Sequence, residues 1–121
     1  LWKDEPGAQV LGDDRIILRK KKEHFWMYGT PWPGQGGIFS SDSAPLDRIF
    51  VIHHSSENIA QRMSQLESTS ELLARSFSTF WYADGMAYSL DFLKGLSEKV
   101  PCYDLGFLPD SSAVQYVQCL K

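Results

Sequence analysis

The chain has 121 residues and a formal net charge of −3, with 43% hydrophobic and 22% charged residues. That length suits one domain with a core of its own, since a chain of this size buries roughly two thirds of its unfolded surface. The composition excludes bulk disorder, collagen-like repeats and a disulfide scaffold; no stretch approaches the ~18 consecutive apolar residues of a membrane span; and the slightly acidic balance, with Arg19-Lys20-Lys21-Lys22 as its longest basic run, argues against general nucleic-acid or membrane affinity.

Ala8 to Leu11 is a short apolar run before Gly12-Asp13-Asp14. Arg15 to Tyr28 predicts a hairpin: Ile16, Ile17 and Leu18 are consecutive, Lys20 to Glu23 is a charged connection, and His24 to Tyr28 is aromatic and β-prone. Gly29 to Pro45 holds three prolines and four glycines, which predicts an irregular, functional or mobile segment. Arg48 to His53 (RIFVIH) reads as a buried strand.

Helices are expected next. Ser55 to Asn58 offers caps for a helix carrying Ile59 and Met63 at i, i+4. Ser68 or Ser70 offers a cap for a second, with Leu72, Leu73 and Phe77. Phe80 to Lys99 predicts a third, with Met86, Leu90, Leu93 and Leu96 on one face, ended by Pro101. Cys102 to Leu108 predicts a strand with Tyr103, Leu105 and Phe107 on one side and Asp104 and Gly106 on the other. Asp110 to Ser112 precedes a last helix, Ala113 to Leu120, with Val114 and Val117 inward. The expected class is α/β or α+β, with a mixed sheet and C-terminal helices.

Asp13-Asp14 is the most informative pair. Adjacent carboxylates need partners, and Mg²⁺ with phosphate oxygens is one resolution. A solvated turn, or an ion pair from Asp14 to Arg15, is the other. His53-His54 is a poor chelate, because neighbours on a strand point to opposite faces; one structural and one exposed histidine are expected. His24 shows no partner. Ser40, Ser41 and Ser43 have no GxSxG elbow or local base. The Gly29–Gly37 segment contains neither GxxxxGK[ST] nor GxGxxG. Cys102 and Cys119 are expected to be free thiols of a cytoplasmic protein.

Four ordered segments resemble one family: VLGDDR (Val10 to Arg15), YGTPWPG (Tyr28 to Gly34), PLDRIFVI (Pro45 to Ile52) and the closing VPCYDLGFLPD. The set is similar to the C-terminal part of the HPr serine kinase-like proteins, related in their nucleotide core to ATP-dependent phosphoenolpyruvate carboxykinases. It covers nearly the whole chain, from about Ala8 to Leu120. The resemblance implies phosphoryl transfer from ATP with Mg²⁺ to a serine of a protein or peptide, or to another hydroxyl. It implies a strand ending in the acidic pair, with Asp13 as the base and Asp14 as the metal-linked carboxylate. Arg15, Arg19 and Arg48 are candidates for a phosphate clamp. The family's Walker A loop lies upstream of the acidic pair, and only a dozen residues precede Asp13. The chain, which starts at Leu1 without an initiator methionine, is therefore expected to be an inactive C-terminal piece of a larger kinase-like domain. The alternative is a non-catalytic binding or oligomerisation module on the same fold.

Overall fold

The computed structural model describes residues 1–77 and 81–120. The chain is of mixed α and β structure, with two three-stranded sheets and three α-helices among the described residues. It divides into two compact units, one of residues 1–46 with 109–121 and one of residues 47–108.

The first unit opens with a single 3₁₀ turn, Trp2–Asp4. Its antiparallel sheet has the order β1-β2-β3, with β1 at Ile17–Lys21, β2 at His24–Tyr28 and β3 at Ser43–Pro45. The expected hairpin is present, with Arg19 opposite Trp26 and Lys21 opposite His24. Phe25 is its buried anchor. The two turn residues are Lys22 and Glu23, and Lys22 sits at φ 59°, in the left-handed region. A side chain there crowds the following carbonyl, and tight hairpins favour glycine for that reason. Lys22→Gly is expected to raise stability by about 0.5–1 kcal/mol, read as a higher urea midpoint with an unchanged slope.

Two expectations for this unit need correction. Residues 8–11 form no strand; only Gly12 pairs, in an isolated antiparallel bridge to Phe39. The segment after Gly29 is not wholly irregular, because Ser43–Pro45 pairs with β2, Pro45 facing Trp26. Proline is tolerated on such an edge strand, where its missing donor breaks no ladder. α3, Ser111–Cys119, is capped by the Asp110 carboxylate, which accepts from the Ser112 N–H and hydroxyl. Ala113 and Val114 are its buried residues.

The second unit carries a mixed sheet. β4 (Ile49–His54) lies parallel to β6 (Cys102–Phe107), and β5 (Ile59–Arg62) lies antiparallel on its other side. β6 is thus central, inserted between two strands that precede it in sequence. α1 (Gln65–Ala74) and α2 (Ala83–Lys99) connect β5 to β6. Leu93 and Leu96 are buried, and Met86 and Leu90 half-buried, on the predicted face of α2; Val100, its C-cap, is also buried. The Phe80 start expected for that helix lies outside the described residues.

The expected helix from Ser55 is instead a turn followed by β5. The Asn58 amide oxygen accepts from the Leu108 N–H at 2.8 Å, and Ile59 then pairs with Gly106. Pairing to a central strand outweighs a short i, i+4 pattern. The expected caps at Ser68 and Ser70 are also displaced. Ser64 and Glu67 form a reciprocal capping box four residues earlier, so Ser68 and Thr69 lie buried inside α1. Their hydroxyls return to the Ser64 and Gln65 carbonyls, and Thr69 Oγ1 also meets Ser97 Oγ of α2 at 2.9 Å. The helix ends at Ala74, before Phe77. Cys102 is buried and Cys119 exposed, and both are free.

Candidate functional site

Asp13 and Asp14 lie in a bend after the Gly12–Phe39 bridge. That bridge brings the start of the acidic pair beside the glycine-rich loop. The Gly34 N–H donates to Asp13 Oδ1 at 2.7 Å. The N–H groups of Gly36, Asp13 itself and Ile38 also favour the ionised carboxyl. Hydrogen bonds to the charged form outweigh the opposing effect of burial, so Asp13 titrates below its ordinary value of 3.8. The closeness of the loop depends on its glycines. A Cβ at Gly36 would stand 2.5 Å from Asp13 Oδ2, and one at Gly34 would stand 2.9 Å from the Asp14 Cβ. The glycines thus admit a carboxylate of this chain, as such loops elsewhere admit phosphate.

The loop is anchored at several points. Buried Thr30 donates its hydroxyl to the Arg15 carbonyl at 2.7 Å. The Gly37 N–H closes a turn onto the Gly34 carbonyl, and the Gly29 N–H meets the Asp42 carbonyl. Pro31 and Pro33 restrict the chain on either side of Trp32, a residue 55% exposed.

Asp14 points elsewhere. Its carboxylate lies 3.6 Å from Arg15 Nε, with both side chains about half exposed. This is the ion pair read from the sequence, and exposed pairs of this kind contribute less than about 1 kcal/mol. Both aspartates are exposed; they differ in that loop N–H groups hold the Asp13 carboxylate, whereas Asp14 meets Arg15 at the surface. Among the described residues, no group of three or more His, Cys, Asp or Glu side chains is placed to hold a metal ion. A magnesium ion here would draw on one or two carboxylates and complete its shell from water and phosphate oxygens, which is its usual habit.

The lowered Asp13 value has a consequence for stability. A carboxyl whose folded value lies below its unfolded one stabilises the fold above the unfolded value. That contribution is lost as pH falls through the folded value. Asp13→Asn is expected to flatten the loss of stability below about pH 4. Urea midpoints at neutral pH and at low pH, compared between the two proteins, measure this. Asp110, lowered by hydrogen bonds from Ser112, contributes in the same direction and is retained in the variant.

The other candidates are engaged structurally. His53 Nε2 lies 3.2 Å from Asp104 Oδ2, and its Nδ1 lies 3.3 Å from the His54 carbonyl. A neutral imidazole carries one N–H, so it donates to only one of these acceptors at a time. His54 stands edge-on to Phe107 at 5.1 Å. Both histidines are exposed, and His53 is the one with hydrogen-bond partners, a structural histidine at the surface. The His53–Asp104 pair was not legible beforehand, because it depends on the parallel register of β4 and β6. Ser40 accepts from the Asp42 N–H through its hydroxyl. Arg19 lies over the Tyr28 ring, and Arg48 Nε pairs with Asp47 at 2.9 Å. The phosphate-clamp candidates thus have local partners.

A cleft of about 470 Å³ in the second unit is lined by Val51, Gln61 and Asp104 of the sheet and Leu66, Glu67 and Glu71 of α1, among others. Its charges are also spoken for: Glu67 closes the capping box, Glu71 pairs with Arg75, and Asp104 meets His53. Arg62 lies over the Tyr103 ring at 5.8 Å.

Comparison with family models, with curated proteins and with solved structures returned no match to this chain. No helix among the described residues is long and apolar enough to cross a membrane.

Proposed function

We propose that the chain is the C-terminal part of an HPr-kinase-like protein that transfers phosphate from ATP to a serine or another hydroxyl, and that this stretch alone is inactive. The reading rests on the ordered set of four similar segments. The observation that carries it furthest is the exposed acidic pair set against the glycine-rich loop, with Asp13 held by loop N–H groups and Asp14 paired only with Arg15 at the surface. In this role Asp14 is the metal-linked carboxylate, and magnesium would supply neutralisation of phosphate charge. Asp13 orients the attacking hydroxyl and takes its proton. Its N–H bonds make it a weak base, which phosphoryl transfer tolerates, because the loose transition state asks more for positioning than for early deprotonation.

The test is to compare this chain with the protein extended upstream through a GxxxxGK[ST] segment and its helix. Titration calorimetry is expected to show Mg-dependent ATP binding by the extended protein and none by the chain alone. A folded extended protein that binds no ATP overturns the proposal. Should that protein also self-associate, the non-catalytic module becomes the better reading. The exposed rings of Trp81 and Tyr88 would then be its first candidate surface.

A further inference from the structure

The first unit carries a concentrated charge that the acidic pair does not use. Between Ile17 and Tyr28, four cations stand against the single Glu23, a formal +3 with His24 neutral. The whole chain is −3, so the remaining residues carry −6. Most of the basic run lies on β1, at the edge of its sheet, paired among the described residues only with β2.

We propose that the open edge of β1 is a docking site for an extended acidic segment of a partner protein, taken up as an added strand. An edge strand offers a row of unpaired N–H and C=O groups, and a peptide can satisfy them in register. Alternation along β1 places Arg19 and Lys21 on one face and Lys20 on the other, so both faces beside the edge are cationic. Each of these cations lies over a ring of the neighbouring strand: Arg19 over Tyr28 at 5.9 Å, Lys20 over Phe25 at 6.0 Å, and Lys21 over Trp26 at 5.4 Å. The rings hold the long side chains near one geometry, which lowers the ordering cost of meeting carboxylates.

The same features argue against other occupants. A second copy pairing edge to edge would bring this basic run against itself, and like charges directly opposite destabilise a ladder. Edge lysines commonly serve to block such self-pairing, and an acidic strand is the partner they do not repel. A nucleic-acid strand would need open aromatic faces for its bases. Here Trp26 and Tyr28 are half-buried and lie beneath cations. This inference is independent of the phosphoryl-transfer reading.

The experiment uses a fluorescent peptide of about eight residues alternating Glu and Val, long enough to pair along β1. A Lys-Val peptide and an oligodeoxythymidine serve as comparisons. The acidic peptide is expected to bind, to be weakened by salt, and to slow amide exchange at Ile17–Lys21. The double variant Arg19→Glu, Lys21→Glu is expected to bind it at least about tenfold more weakly and to gain affinity for the Lys-Val peptide. No binding, binding without protection of β1, or equal binding of the oligonucleotide overturns the proposal. Exchange on the unaltered chain decides the matter should the double variant not fold.

Discussion

Under the phosphoryl-transfer proposal, Asp14→Asn, introduced into a protein extended upstream through a GxxxxGK[ST] segment, is expected to lower Mg-dependent turnover by about 10²-fold or more. The variant removes a charge and leaves the shape. Asp14 meets Arg15 only across 3.6 Å at the surface. Its loss should therefore change folding stability by no more than about 0.5 kcal/mol. The two readouts separate the roles of the residue. A metal-linked carboxylate loses turnover and magnesium dependence at constant melting temperature. A solvated turn residue loses neither, and a change in turnover below about twofold would remove Asp14 from the proposed chemistry. Asp13 is less informative as a first variant, because its carboxylate also gathers the Gly34 loop, and its removal alters the local fold together with any chemistry.

Gly29→Ala is expected to be the most damaging small substitution in the first unit. A Cβ at that position would stand 2.1 Å from the Ser40 carbonyl oxygen and 2.9 Å from that of Leu11. Both obstacles are backbone. Neither can turn aside as a flexible side chain does, so the strand end or the loop must shift. A loss of about 3 kcal/mol is expected, with a melting temperature lower by about 10 °C or more. Gly95→Ala supplies the contrast. Gly95 lies within α2, where an added Cβ meets nothing within 4 Å. The change there should stabilise the protein by up to about 1 kcal/mol, through helix propensity alone. Calorimetric melting of the two variants measures both effects. Similar melting of the two would mean that the loop after β2 does not close against Leu11 and Ser40 as described.

The elements that could be read in advance are those whose signal is local. The β1–β2 hairpin combines a β-prone apolar run, a charged two-residue turn and an aromatic run, and each choice favours the same structure. β4 is a short apolar run and β6 an alternating one, although β4 is not the buried strand expected, Ile52 being 62% exposed at an edge of its sheet; α2 repeats Met86, Leu90, Leu93 and Leu96 at helical spacing before a terminating proline. The capping box at Ser64 and Glu67 is equally local, but the apolar pair Ile59 and Met63 just before it carries a competing helical spacing. Ile59 is in a strand because Gly106 of β6 lies opposite it, a partner 47 positions later in sequence.

The candidate site divides along the same line. Asp13, Asp14 and their ion-pairing neighbour Arg15 stand together in the chain, so the pair and its nearest cation were legible as residues. Their division of labour was not. The Gly34 N–H lies 21 positions beyond Asp13, and the bridge from Gly12 to Phe39 is what brings that loop to the carboxylate. The sequence by itself determined the hairpin, the apolar strands, the long helix and the acidic pair, because those depend on propensity and spacing within a few residues. Only the tertiary structure decided that β6 enters between β4 and β5, that His53 meets Asp104, and that loop N–H groups hold the Asp13 carboxylate while Asp14 turns to Arg15. The physical reason is that hydrogen bonds across such distances depend on register and on close backbone approach, which local propensities do not encode.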